Sequence, residues 1–283
     1  MVSHCSVVHI DDISPENMDA NQGWSISEFR IPISRRQGSS TTAFHSRFFP
    51  GSTHKKHRHD NCEEIAVYLR GRGVVGNGPE RAQLCPGFCR LIPVGVDHFY
   101  FNATQNEPAE VLGFYIGAGG LDDTGYVYTG DVTKEDLEKP RKGISQGILV
   151  HFDDVPPEPM NSEEGWPIGN FHVLLSKRNG STTTLFRASF LPGSTHQKHR
   201  FDRCEEIYYV MGGRGLAGAG SDRVEVRPGH FHYIPKGVDH WLHNPSEKET
   251  LEILGIYIGA GSVEDTGYVH TGDVTKEDLM QRA

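Results

Sequence analysis

Apolar residues fall along this chain in short runs rather than at helical spacing. Ile65 to Leu69, Phe88 to Ile92, Val111 to Ile116, Ile207 to Met211 and Leu251 to Ile258 are rich in β-branched and aromatic side chains and are punctuated by Gly and Pro. Short strands at this spacing predict a β-sandwich or β-barrel. The 33 glycines and 16 prolines suit the turns of such a fold better than they suit helices. Helical signals are few: one turn after Ser14-Pro15-Glu16, with Pro at the first helical position, and Thr133-Lys134-Glu135-Asp136-Leu137, where Thr133 can cap.

The pattern is written twice. Displacing the sequence by 142 positions brings its halves into register without a gap. Val8-His9-Ile10-Asp11-Asp12 falls on Val150-His151-Phe152-Asp153-Asp154, Trp24 on Trp166, and Pro50-Gly51-Ser52-Thr53-His54 on Pro192-Gly193-Ser194-Thr195-His196. Thr124 to Leu137 falls on Thr266 to Leu279 with one difference, Tyr128 against His270. Two duplicated domains are expected, 1–142 and 143–283, joined at the polar Lys139-Pro140-Arg141-Lys142-Gly143. A chain of 283 residues, 36% hydrophobic and 23% charged, is long and apolar enough for two packed cores.

The formal charge of −9 speaks against a nucleic-acid partner, whose phosphates it would repel. No apolar run reaches the roughly eighteen residues of a membrane span, and Met1 to Ile10 lacks the basic and apolar regions of a signal peptide. A cytoplasmic protein with no membrane attachment is expected. The five cysteines form no C-x2-C pair, so neither a disulfide framework nor a thiolate zinc cage is suggested; Cys85 and Cys89 read as small core or loop residues.

Candidate chemistry sits on the β-pattern. His57 and His59 are two apart on an expected strand, so both imidazoles point to one face. Glu64 follows a tight turn later, and the turn Pro93 to Asp97 can bring His98 back to the same point. Three neutral nitrogens and a carboxylate suit Fe(II), Mn(II), Ni(II), Co(II) or Zn(II). A six-coordinate ion would keep two positions open, as a catalytic site needs.

These spacings resemble the two motifs of the cupin superfamily. The first motif is supplied by Gly51, His57, His59, Glu64 and Gly71, and the second by Gly87, Pro93, Gly95, His98 and Asn102. Both recur, as Gly193, His199, Glu206 and Gly213, then Gly229, Pro235, Gly237, His240 and Asn244. The resemblance implies an all-β bicupin, two tandem double-stranded β-helix (jelly-roll) barrels, with the Thr124 to Leu137 type segments outside it. One position departs: Phe201 stands where the second histidine of the motif belongs. His199, Glu206 and His240 still form the donor set of a facial triad, so the second barrel is either a scaffold or a weaker metal site. About one divalent transition metal per chain is therefore expected, in the first barrel, with a weaker second one left open.

His54 and His196, three residues before a ligand, are expected to face away from the site as surface or turn histidines. Cys62 and Cys204 read as small buried neighbours of the site, and Glu64 and Glu206 are preferred to Glu63 and Glu205 because they keep the spacing to the motif glycine. His45, Arg47 and Arg187 are expected on a solvated strand face, although they could reach the interior to bind an anionic or carbonyl substrate. His230 and His232 share one strand face and Phe231 and Tyr233 the other; His243 adds to the histidines of that half.

Resemblance to bicupin dioxygenases implies a non-haem Fe(II) dioxygenase acting on an oxygenated small molecule, with Glu64 as a ligand that can also serve as a base. Non-redox isomerase, cyclase or decarboxylase chemistry with Zn, Mn, Ni or Co is the alternative, and a non-catalytic binding or storage bicupin is a third. The expected partner is a small molecule, and the protein is expected as a monomer or homodimer.

Overall fold

The computed structural model describes residues 5–138, 148–220 and 222–280. The Lys139 to Gly143 joint lies outside them. The chain divides into two compact units, residues 13–154, and residues 1–12 with 155–283. Each is an all-β barrel of two facing antiparallel sheets.

In the first unit one sheet runs in the order Ile148–His151, Phe88–Ile92, Glu63–Arg70, Ala109–Ile116, Thr42–Phe48, Glu28–Ile33. The facing sheet runs Tyr126–Gly130, Thr53–His59, His98–Asn102, Gly73–Asn77, Glu80–Leu84, with Trp24–Ser25 added beside Thr53–His59. The second unit repeats this with Ser6–His9, His230–Ile234, Glu205–Gly212, Leu251–Ile258, Thr184–Phe190, Asn170–Leu175 in one sheet and Asp222–Val226, Gly215–Ala219, His240–His243, Thr195–Phe201, Tyr268–Gly272 in the other. The apolar runs of the sequence are the central strands of these sheets, buried on both faces, so they read as continuous rather than alternating.

The outermost strand of each first-named sheet comes from the opposite end of the repeat. Ile148–His151 follows the first repeat yet pairs with Phe88–Ile92, with Ile148 opposite Leu91 and His151 opposite Phe88. Ser6–His9, at the start of the chain, pairs with His230–Ile234, with Ser6 opposite Tyr233 and His9 opposite His230. The sequence repeat and the compact unit are thus two different partitions of one chain.

The motif residues outside the ligand set have structural duties. Gly71 has φ +76°, and a Cβ there would lie 2.7 Å from the Ala109 backbone, so neither the conformation nor the space admits another residue. The Asn102 side chain, fully buried, donates to the carbonyls of Phe48 and Glu107 and so ties two loops to a strand end; Asn244 does the same with Phe190 and Glu249.

The repeated Thr124 to Leu137 segment supplies the strand Tyr126–Gly130 and the helix Lys134–Glu138. The Asp136 amide donates to the Thr133 hydroxyl as expected of a cap, and the buried Asp136 carboxylate holds Arg81 at 2.5 Å and Lys56 at 2.6 Å. The expected turn of helix at Ser14-Pro15-Glu16 does not form: the Glu16 amide donates to the Phe29 carbonyl at 2.7 Å, drawing the chain out beside that strand. Among the described residues, no helix is long and apolar enough to cross a membrane.

Candidate metal centres

Side chains that alternate along Thr53–His59 bring His57 and His59 to the interior, both fully buried. Glu64 is the second residue of Glu63–Arg70 in the facing sheet, and His98 opens the strand paired with Thr53–His59, where it lies opposite His57. One ligand atom from each of His57, His59, Glu64 and His98 falls within 4.8 Å of all the others. Glu63 is not in the group. In the second barrel His199, Glu206 and His240 converge in the same way, and Phe201 occupies the place of His59, its ring 5.5 Å from His240 and 4.8 Å from Tyr257.

Hydrogen bonds fix which nitrogen each imidazole presents. His57 donates its Nδ1–H to the Lys55 carbonyl at 2.7 Å and His98 donates its own to the Val96 carbonyl at 2.8 Å, so both offer Nε2 to the centre. Burial, reinforced by the histidines around it, holds His57 well below the ordinary imidazole range. Burial also lowers His98, against the pull of Glu64. Burial would raise the Glu64 carboxyl, but His59 and His98 outweigh it and hold it well below the usual carboxylate range.

The consequence is a test of fit for a metal. Glu64 Oε2 lies 3.0 Å from His98 Nε2 and 3.3 Å from His59 Nε2. With Nδ1 carrying the proton of a neutral ring, His98 Nε2 would face the carboxylate lone pair to lone pair, so the low Glu64 carboxyl requires a second proton or a cation between them. Among the described residues, buried His57 Nε2 and both ring nitrogens of His59 find no hydrogen-bond partner, and leaving such atoms unmet costs about 1–3 kcal/mol each. Converging lone pairs without a proton between them are what a divalent cation neutralises, and the three-nitrogen, one-oxygen set suits first-row transition ions. The second barrel repeats the arrangement with fewer donors: His240 donates Nδ1–H to the Val238 carbonyl at 2.9 Å and turns Nε2 to Glu206 at 3.0 Å, and His199 Nε2 is unpartnered.

His54 and His196 do not face away. Between His54 and His57 the pairing register with His98–Asn102 slips, three residues on one strand opposing two on the other, and the second barrel slips likewise between His196 and His199. This β-bulge turns His54 to the same side as His57, where the rings stack at 3.6 Å with Trp24 4.2 Å beyond. Trp24, His54 and Tyr126 form an aromatic wall that sets the plane of His57. His196, Trp166 and Tyr268 repeat it around His199.

His45 is buried rather than solvated, 3.7 Å from Glu110. Arg47 is paired with Glu28 and Glu110, and Arg187 with Glu252. Cys62 and Cys204 are buried, and burial pushes the Cys62 thiol up to about 12, which keeps it protonated and inert. His232 is interior and bonded to Tyr208, while His230 packs against His9 and His243 bonds to Thr195. Sequence reasoning missed Ser46, Tyr68, Asn77 and Arg90, which lie buried in the first barrel. A signal was there: at the matching positions the second half carries Ala188, Val210, Ala219 and His232.

The family model described as a cupin domain matches residues 44–115 and again 186–257. An uncharacterized protein of Methanocaldococcus jannaschii is 34% identical over 87 residues, 31% of this chain and 69% of that protein. The oxalate-binding protein of Thermotoga maritima is 25% identical over 115 residues, 40% of this chain and 94% of that protein. A structure of Bacillus subtilis oxalate decarboxylase, studied for its Mn(II) centres, matches with a TM-score of 0.71 at 14% identity, covering 96% of this chain and 80% of that one. At that identity the likeness is one of fold.

Proposed function

This chain belongs to the cupin family, with one cupin domain in each half, and from that premise we propose that it is a metal-dependent enzyme whose working centre is in the first barrel. The observation that carries the reading is the convergence of His57, His59, Glu64 and His98, four buried donors against three in the second barrel. A bound divalent metal would supply Lewis acidity and, if it is iron, redox chemistry.

The remaining work falls to the chain. Lys55 and Val96 carbonyls hold the His57 and His98 rings in one tautomer, and the Trp24, His54 and Tyr126 wall excludes water from that side of His57. Glu64, 3.0 Å from His98 and 3.3 Å from His59, would help to hold the metal and would be the carboxylate placed to take a proton from a bound substrate.

Two reaction types suit this centre. One is Fe(II) dioxygenation of an oxygenated small molecule. The other is decarboxylation without net redox change, and one observation favours it: the oxalate-binding protein and oxalate decarboxylase are named for the same small dicarboxylate, and the latter carries Mn(II) centres.

Metal analysis of the purified chain, paired with oxygen uptake and CO2 release assays, tests the proposal. About one metal per chain, lost in His98→Ala, is expected. Turnover that stops without dioxygen and with Zn(II) in place of Fe(II) would select dioxygenation, since zinc has no redox change to offer. CO2 release from oxalate with Mn(II) and no oxygen consumed would select decarboxylation. Metal confined to the second barrel would overturn the placement.

A further inference from the structure

Next to the ligand group, the first barrel contains a set of polar side chains that no packing requirement explains. Ser46, Tyr68 and Arg90 line the same small cavity as His57, Glu64 and His98, with about 20 Å³ of free space. Arg90 lies opposite Ala66 on the neighbouring strand, whose methyl group leaves room for the guanidinium to pass inward. It is one of the largest fully buried side chains. Its Nη1 reaches Asn77 Oδ1 at 3.2 Å and the Gly76 carbonyl at 3.4 Å, but among the described residues it has no carboxylate at ion-pair distance.

Arg90 Nε, Tyr68 OH, Asn77 Nδ2 and Ser46 Oγ are all buried without a hydrogen-bond partner among the described residues. Burial pushes the Tyr68 phenol up to about 12, so it remains a donor. Two of the four atoms can only donate and the hydroxyls can do so, and the cation among them makes no ion pair among the described residues. A buried charge in that condition is costly unless something pairs with it.

The second barrel shows that the fold does not need this set. Ala188, Val210 and Ala219 replace Ser46, Tyr68 and Asn77, and His232 replaces Arg90. Tyr208 stands where Ala66 leaves space, and its hydroxyl meets His232 Nδ1 at 2.7 Å, so that pair satisfies itself. Among the described residues of that interior, only the nitrogens of His196 and His199 are left without partners.

We propose that Arg90, with Ser46, Tyr68 and Asn77, is the anion-binding half of the substrate site, taking a carboxylate group of a small substrate whose reacting end faces His57, His59, Glu64 and His98. The proposal rests on the first barrel being the working centre. Its chemistry is that of a charge-assisted fork closing on an acceptor-only group, and because the free space is about that of one water, only the smallest acids, formate or oxalate, can be taken, and with some yielding of the side chains around them.

The test is calorimetric titration of oxalate and of formate into the full chain loaded with Mn(II), with metal content measured on every sample. Wild type is expected to bind. Arg90→Met should lose roughly 10- to 100-fold in affinity with its metal content unchanged, and Tyr68→Phe roughly 10-fold. Without ligand, Arg90→Met should melt no lower than wild type, because it removes an unpaired buried charge, and should lose the rise in melting temperature that oxalate gives wild type. Arg90→Met that binds oxalate as wild type does, or metal-loaded wild type that binds neither acid, overturns the proposal. If Arg90→Met does not fold, Tyr68→Phe decides, and unchanged oxalate affinity there overturns it. Metal found only in the second barrel would instead sink the functional reading, so the two failures are distinguishable.

Discussion

His59 in the first barrel and Phe201 in the second occupy the same place on the same strand, each beside a buried tyrosine: His59 is 4.7 Å from Tyr115, and Phe201 is 4.8 Å from Tyr257. The strand register around them is the same, including the bulge that turns His54 and His196 inward. The two copies therefore differ in what the interior does, while the frame that places it is unchanged. An interior position can trade a ligand for a hydrophobe of similar shape because strand pairing is set by the backbone and by the apolar faces, neither of which registers the exchange. Where the first barrel carries four converging donors and a buried arginine without a carboxylate at ion-pair distance, the second has three donors, apolar side chains and one closed Tyr208–His232 pair.

The widest difference between the barrels should appear when a ligand is removed from each. Changes around a ligand cost roughly 10- to 100-fold in metal affinity or activity, and loss of the ligand itself costs at least as much. His98→Ala should nearly abolish turnover and empty the first site, whereas His240→Ala should leave most activity. Equal loss from both variants, with the protein folded, would break the contrast.

Restoring the missing donor runs the other way. Phe201→His should raise metal content toward two per chain by elemental analysis, against a stability cost of about 1–3 kcal/mol for replacing a buried ring. A metal content that stays near one would mean that the place of His59 is filled in more than name.

A third variant asks whether the second interior is held by its own polar pair. Tyr208→Phe leaves His232 Nδ1 unmet and should cost about 1–2 kcal/mol in denaturant unfolding, with turnover unchanged. A loss of activity would place that pair in the chemistry.

The smallest effect concerns the two repeated anchors. Burial would raise Asp136, but Lys56 and then Thr133 and Arg81 hold its carboxyl far below the ordinary range; Asp278 is held low by Lys198 and Thr275. A depressed folded value means that the stabilisation is complete above about pH 4 and is lost as pH falls toward the folded value. Asp136→Asn and Asp278→Asn should each be less stable than wild type at pH 7, by more for the more buried Asp136, and the gap should close on acidification. A gap independent of pH would rule out charge as its source.

The repeat, the strands and the ligand group were legible in the sequence because each rests on local spacing: alternation puts His57 and His59 on one face, and glycines and prolines mark the turns. His54 was misread because alternation holds only in an unbroken strand, and no residue between His54 and His57 announces a bulge. The Arg90 set was legible only by comparing the halves position by position, since a lone arginine in an apolar run resembles an edge residue. The exchange of outer strands left no local mark, as Ser6–His9 and Ile148–His151 both end in Val-His and are apolar enough for either to complete either sheet.

That exchange also sets an order for synthesis. Ser6–His9 leaves the ribosome long before its partner strand: the His9 ring meets the Pro228 carbonyl 219 residues downstream. At about 5–20 residues per second it waits on the order of ten to forty seconds for its partner, while the sheet that begins at Phe88–Ile92 waits only for Ile148–His151. Through that interval the early strand can lie against Phe88–Ile92, where its counterpart belongs, and must be displaced when that counterpart arrives. Completing the sheet then includes replacing one strand by the other, and mismatching the two, for example by Val8→Lys alone, should change the refolding rate without touching either interior.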